Sequence, residues 1–410
     1  MVMEMEDVVI VGAGIAGLTT SLGLHRLGLR SLVLESSESL RTTGFALTLW
    51  TNAWRALDAV GIGSLRQNFL PITGIEVTSS ASGPASEMLQ EREEKERKAY
   101  EIRCVKRKEL LETLERQLPA GTIRYSSKVV SIEESGHQKL LHLADGSIIK
   151  TKVLIGCDGV NSVVAKWLGL QKPSSCGRSD IRGFVEYPDG HGFSPKIRFF
   201  FAGGVRFGFI PCNDKCLYWF CTFNLSAQPE KGMEEDPVKM KQFVLSRVGK
   251  VSKNAAEVVE RTKLDTIFCS SLKLRLPWNL LTQNISKGSV CVIGDALHPM
   301  TPDLGQGGCS ALEDSVVLAR CLGEALLAKP KEDIISEEEE QGRINKGLEK
   351  FARERRWRSF SLITAAFVVG YIQESHGRVM AFLREKLLSR FTVDIVWKMA
   401  DFNCGNLINA

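Results

Sequence analysis

This chain has no apolar run long enough to cross a bilayer. The most apolar late stretch, Phe360 to Ile372, spans 13 residues and stops at Gln373-Glu374. A spanning helix needs about 20. A buried or interfacial helix is expected there, with docking on the rest of the protein favoured over contact with a membrane surface. The chain also carries little net charge: 53 basic against 48 acidic side chains leave +5 over 410 residues. That is too mild to suggest a nucleic-acid-binding surface. Its eleven cysteines lack a framework spacing, and the nearest pair, Cys212 and Cys216, has no second Cys or His pair beside it. A metal site is therefore not expected, and reduced thiols fit a reducing compartment. Only six residues precede the first strand-like run, so no targeting peptide is expected and the location reads as cytoplasmic. Internal repeats are missing too.

What is present starts at once. Asp7-Val8-Val9-Ile10-Val11 runs into Gly12-Ala13-Gly14-Ile15-Ala16-Gly17, and a helix-forming stretch follows from Leu18 to Leu27. A second apolar run, Ser31-Leu32-Val33-Leu34, ends on Glu35. Strand, glycine turn, helix, strand and acid in this order form a dinucleotide fingerprint. Gly12 permits the tight turn, Gly14 lets backbone approach a pyrophosphate, and Gly17 lets helix and strand pack closely. The helix N-terminus offers free N–H groups to phosphate. Glu35 can accept hydrogen bonds from both ribose hydroxyls and would repel a 2′-phosphate. The motif alone does not choose between NAD and FAD.

Further along, Phe45 to Leu49 alternates as a strand near the ligand, and Asn52 to Val60 reads as a helix closed by Gly61. Lys106 to Gln117 is an amphipathic helix carrying Leu110, Leu111 and Leu114 on one side. Short strands follow, with a hairpin turn at Asp145-Gly146, and Lys152 to Gly156 closes on Cys157-Asp158-Gly159. From about 180 to 280 the runs turn aromatic: Ile197 to Phe201, Arg206 to Ile210 and Leu217 to Cys221. They predict an antiparallel sheet inserted into the first domain. Ser289 to Asp295 returns to the first pattern, ahead of a glycine loop and a helix from Ser310 to Ala328. Residues 341 to 390 read as mostly helical, and the mixed-charge run 91 to 98, Glu337 to Glu340 and Arg353 to Arg358 read as solvated faces.

Three strand ends now form a set: Gly12/Gly14/Gly17 with Glu35, then Cys157-Asp158-Gly159, then Gly294-Asp295-Ala296-Leu297-His298-Pro299. With Arg107 ahead of its helix, this set resembles the single-component flavoprotein aromatic hydroxylases, the p-hydroxybenzoate hydroxylase-like FAD-dependent monooxygenases. It is most similar to the plant branch that includes zeaxanthin epoxidase and the monooxygenase 1 proteins. The likeness covers roughly residues 5 to 400.

The resemblance implies an α/β fold: a Rossmann-type FAD-binding domain (1–75, 100–180 and 285–330), an inserted antiparallel β-sheet substrate domain (76–99 and 181–284), and a C-terminal helical region (335–410). It implies tight, non-covalent FAD and transient NADPH or NADH. FAD would be held by Gly12, Gly14, Ala16, Gly17, Glu35, Arg41, Arg107, Asp158, Gly159, Asp295, Pro302, Gly305, Gln306, Gly307 and Gly308. Asp295 can bond a ribityl hydroxyl, and the helix after Gly305–Gly308 would stabilise the reduced ring. Asp158 reads either as holding Arg107 or the loop geometry, or as an ordinary helix cap before Ser162. Arg107 reads as a pyrophosphate or flavin contact, or as a surface arginine at a helix start. Leu47, Phe200, Phe209 and Trp219 are candidates to line the substrate cavity, although alternation sends some strand residues into the core. His298 reads as a held loop histidine rather than a catalytic one. The implied reaction reduces FAD with NAD(P)H and passes oxygen from a flavin C4a-hydroperoxide to a small aromatic or isoprenoid-type substrate, in a monomer or homodimer. A flavin dehydrogenase or reductase, or a flavin-binding regulatory protein, remains open. The W-x-W-x-I-P element of flavin halogenases is absent.

Overall fold

The computed structural model describes residues 4–41, 44–79, 83–87, 100–202, 205–224, 232–327, 336–374 and 396–407. The charged run 91–98 lies outside them. β1 (Glu4–Val11) passes through α1 (Ile15–Arg26) to β2 (Leu32–Leu34). Next come β3 (Ala46–Leu49), α2 (Thr51–Ala59), β4 (Gly74–Ser79), β5 (Gly83–Glu87), β6 (Arg103–Lys106) and α3 (Arg107–Arg116). Then β7 (Ile123–Arg124), β8 (Val129–Ser135), β9 (Gln138–Leu143), β10 (Ile148–Gly156) and α4 (Val163–Trp167) complete the first half. The second half holds β11 (Ser174–Glu186), β12 (Lys196–Ala202), β13 (Val205–Asn213), β14 (Cys216–Asn224), α5 (Pro237–Val248), α6 (Lys253–Arg261) and β15 (Ile267–Leu274). It closes with α7 (Asn279–Thr282), β16 (Ser286–Lys287), β17 (Val290–Val292), α8 (Gly307–Leu327) and α9 (Glu337–Glu374).

One eight-stranded sheet runs β16-β17-β10-β1-β2-β7, with β9 and β8 attached at β10. Its central pairs β17–β10, β10–β1, β1–β2 and β2–β7 are parallel. Parallel strands are covered on both faces, so they read as unbroken apolar runs such as Val8–Val11 and Val290–Val292, all buried. Val11 pairs with Leu34 and Gly156, and Gly156 pairs with Val292. The carboxyl ends of four neighbouring strands therefore open onto one edge.

The second sheet has seven strands in the order β15-β11-β14-β13-β12-β4-β5, antiparallel except for β4 on β12. Two helices that the sequence reading did not separate, α5 and α6, cover one of its faces. Asp236 caps α5 ahead of Pro237, and Ser252 caps α6. Met240, Phe243, Val244, Val258 and Val259 from them form a core with the sheet's aromatic residues.

The aromatic sheet also starts earlier than the sequence reading placed it, because β11 joins it from Ser174. Helix α9 packs on α8, on the Pro302–Leu304 turn and on α7, where Leu304, Ala366 and Val369 form a small apolar cluster. Trp357, Phe367, Val368 and Tyr371 remain exposed on its other side. No helix among the described residues is long and apolar enough to cross a membrane.

Candidate active site

The open edge begins where β1 turns into α1. Gly12 has φ 104°, and a Cβ there would lie 2.5 Å from the Cys157 carbonyl oxygen. A Cβ at Gly17 would lie 1.9 Å from the Gly12 carbonyl oxygen, so only glycine permits this contact. A Cβ at Gly14 would meet nothing within 4 Å. Helix α1 has neither a side-chain cap nor an acid in its first turn. Its leading N–H groups therefore face the open edge as an anion site. Ala16 contributes only that backbone, since its side chain is buried and faces Gly294.

At the end of β2, Glu35 is 3 % exposed. It accepts from the Ala13 and Ser37 N–H groups, each at 2.9 Å, and from the Ser36 hydroxyl at 3.2 Å. Arg41, largely exposed, stands 3.6 Å away. Burial pushes this carboxyl up, but the Ser37 and Ala13 N–H bonds and Arg41 outweigh it and hold Glu35 below the usual range.

At the end of β10, Asp158 accepts the Val163 N–H at 2.6 Å and so caps α4, assisted by Ser162. This bond is the cap, and it also holds the loop after β10. No hydrogen bond joins Asp158 to Arg107. Gly159 follows, half-exposed, with φ 77°.

At the end of β17, Asp295 is exposed. The charge nearest in effect to Arg107 is Asp295, with Arg41 and Arg182 also within electrostatic range. The Arg107 guanidinium is pushed down chiefly by burial, and its Nε has no partner. Arg41 is already paired with Glu35, so Arg107 is the arginine of this group without a hydrogen-bonded acid at its Nε. Arg182 itself is held by Asp180 at 2.6 Å. Sequence reasoning missed Arg275, a fully buried guanidinium that donates to the Ala296 and Leu297 carbonyls at 3.1 and 2.8 Å and pins the loop after Asp295.

Pro302, Gly305, Gly307 and Gly308 make a half-exposed strip that runs into the first turn of α8, with Gly305 at φ 62°. The Leu47 side chain from β3 lies on Gly308. Two side chains of this loop turn inward. Asp303 is clamped by Arg178 at 2.8 and 2.9 Å and by Arg206 at 2.8 Å. Gln306 accepts from Asn52 at 2.9 Å. The loop therefore offers its backbone, and not the Gln306 side chain, to the open edge.

Beneath it lies a fully buried polar network. Asp314 accepts from the Gly294 N–H at 2.9 Å and from Arg355 at 2.6 Å, and lies 2.6 Å from His298. His298 meets Asp314 and Ser310 through the same ring nitrogen, Nε2. A nucleophilic triad needs the two opposite nitrogens, so this group is structural. Arg355 and Arg358 correct the expectation that residues 353–358 form a solvated face. Arg355 is 0 % exposed because it shares the inward stripe of α9 with Phe351, Ser359 and Leu362.

The substrate candidates Phe200, Phe209 and Trp219 require correction. All three lie on the face of the second sheet covered by α5 and α6, and Trp219 donates to Thr262 at the end of α6 at 2.8 Å. The strand period of two puts their neighbours on the opposite face. There Phe199, Tyr218 and Phe220 join the core of the first sheet. Arg206 lies between the Phe199 and Phe220 rings at 5.1 and 5.3 Å. Phe45, a non-glycine residue at φ 57°, stacks on Phe184 of that face at 6.3 Å.

These buried carboxylates make a pH prediction. Burial raises Asp303, Glu313 and Asp314, but Arg178 and Arg206, Arg355 and Arg358, and His298 and Arg355 respectively outweigh it; Asp314 reaches about 2. Folded values below unfolded ones contribute stability above the unfolded pKa, and that stability is lost as pH falls. Thermal scans from neutral to acid should show Tm falling steadily below about pH 4.5.

This edge gathers backbone N–H groups, arginines and the carboxylates Glu35 and Asp295, the kinds of group that suit a dinucleotide. A family model described as "FAD binding domain" matches residues 5–351. The chain is 52% identical to Monooxygenase 2 of Arabidopsis thaliana, covering 99% of this chain and 100% of the relative. It belongs to the FAD-dependent monooxygenases. Monooxygenase 1 of the same plant is 34% identical over 99% of this chain and 100% of its own length. Among solved structures, Klebsiella pneumoniae HpxO complexed with FAD and uric acid shares the fold at a TM-score of 0.80 and 21% identity, covering 98% of this chain and 96% of that one.

Proposed function

We propose that this monooxygenase uses NAD(P)H and O₂ to hydroxylate or epoxidise a small, mainly apolar or phenolic molecule. We assign cofactor binding to the first sheet and substrate binding to the second. Bound FAD supplies the redox chemistry and the activation of oxygen. The chain supplies positions. Glu35 takes the adenosine ribose. The α1 N-terminus with Arg41 and Arg107 takes the pyrophosphate, and Asp295 takes the ribityl chain. The strip Pro302–Gly308 with Leu47 faces the ring, and the N-terminus of α8 stabilises negative charge there.

The observation that carries the substrate reading is the inner face of the second sheet. Phe184, Phe199, Tyr218 and Phe220 line it, and Arg206 links it through Asp303 to the flavin-side loop. These rings suit a planar substrate, and Arg206 between Phe199 and Phe220 adds a cation to the same face. No side chain is needed as a nucleophile for this transfer.

The test incubates FAD-loaded protein with NADPH or NADH, air, and panels of phenols, indoles and terpenoids. The expected result is substrate-dependent O₂ uptake and a product heavier by one oxygen. Nucleotide oxidation without oxygen incorporation would favour a dehydrogenase, and failure of either nucleotide to reduce the flavin would favour a regulatory protein.

A further inference from the structure

Helix α9 reaches the flavin-side loop through a chain of buried charges. Arg358 donates to both Glu313 oxygens at 2.7 and 3.0 Å, and Arg355 stands 2.8 Å from the same carboxylate. Glu313 accepts from Asn52 at 2.5 Å, and the same Asn52 amide donates to Gln306 at 2.9 Å. Asn52, Gln306 and Glu313 are 1 % exposed or less. The Phe402 ring closes the other side, with the Arg355 and Arg358 guanidinium carbons 5.0 and 4.7 Å from its centroid. Two carboxylates, Glu313 and Asp314, thus face two arginines from a helix some forty residues further along the chain.

Burying four ionised groups is costly, and a hydrophobic filling is often equally stable. Such a network is retained where it fixes a geometry or a charge. The geometry fixed here is that of Gln306, the one loop residue between Gly305 and Gly307 with a long side chain. Held inward, it leaves the half-exposed Gly305, Gly307 and Gly308 as the residues this stretch presents outward.

We propose that Asn52, Glu313 and Arg358 are positioning residues that hold Gln306 inward and balance the charge behind residues 305–308, so that the C-terminal helix tunes the flavin. This rests on the assignment of residues 305–308 to the flavin ring. Removing a negative charge behind the ring makes electron uptake easier, and removing a positive charge makes it harder.

The experiment loads full-length wild type, Glu313→Gln, Arg358→Gln and the double variant with FAD. It measures the flavin midpoint potential by dye equilibration and the FAD dissociation constant by fluorescence. Glu313→Gln should shift the potential positive and Arg358→Gln negative. The double variant, again charge-balanced, should return close to wild type. Asn52→Leu changes no charge; it should leave the potential near wild type but weaken FAD binding about tenfold as Gln306 is released. If Arg358→Gln fails to fold, Glu313→Gln and the double variant still decide the sign. Potentials that stay unchanged, or move in one direction for both single variants, overturn the proposal, because a purely structural network moves only Tm. Failure of the wild type to take up FAD would instead overturn the flavin-site assignment on which the proposal stands.

Discussion

Gly17→Ala strongly weakens FAD binding. The new methyl would sit 1.9 Å from the Gly12 carbonyl oxygen, a backbone atom that no side-chain rotation can move away. The α1 N-terminus must therefore shift from the turn that presents Gly12 and Gly14. Overpacking of this kind costs about 1–3 kcal/mol in the fold. The displaced N–H groups lose their aim at the pyrophosphate, and FAD affinity should fall roughly 100-fold, equivalent to about 2.7 kcal/mol. Gly14→Ala is the matched control: its Cβ meets nothing within 4 Å, so the fold should keep its Tm while any loss appears in FAD binding alone. Circular dichroism melting with FAD fluorescence titration separates the two effects.

Arg355→Met lowers the unfolding temperature by several degrees. This guanidinium is 0 % exposed and donates to Asp314 at 2.6 Å and to the Ser310 hydroxyl at 3.1 Å, beside Glu313. Methionine fills much of the volume but leaves two buried carboxylates with Arg358 as their one remaining guanidinium, besides Asn52, His298 and the Gly294 N–H. Breaking one partner out of such a cluster costs about 3–5 kcal/mol. At roughly 1–1.5 °C per kcal/mol for a chain of 410 residues, Tm should fall by about 3–7 °C. Arg353→Ala, on the exposed side of the same basic run, should stay within about 0.5 kcal/mol of wild type. A thermal scan of the pair checks both.

That contrast also shows what could be read in advance. The parallel-strand runs, the glycine turn and Glu35 were legible because each needs a residue type at a fixed spacing, and the register of β1, β2 and β10 brings them together. Arg355 was misread by local composition, five charged residues and one tryptophan in a row. Its helical position was legible: Phe351, Arg355, Ser359 and Leu362 fall at the spacing of one face, and that stripe continues to Ile363 and Ala366, all buried.

The aromatic strands failed differently. β12, β13 and β14 carry large apolar residues on both faces, so alternation gave no parity. Phe199 and Phe200 look equivalent until α5 and α6 choose one side. Those helices were masked by the aromatic strands around them, although Asp236-Pro237 and Ser252 are ordinary start signals. Asn52 carried no signal, since its role depends on α8 and α9 meeting it from far along the chain.

The most direct measurement is a titration of purified, flavin-stripped protein with FAD, followed by absorbance and flavin fluorescence. One FAD should bind per chain, turning it yellow, and Arg107→Ala should weaken that uptake while Tm changes little. A protein that stays colourless, or that takes up flavin equally well without Arg107 and with Gly17→Ala, would contradict the placement of the cofactor along this edge.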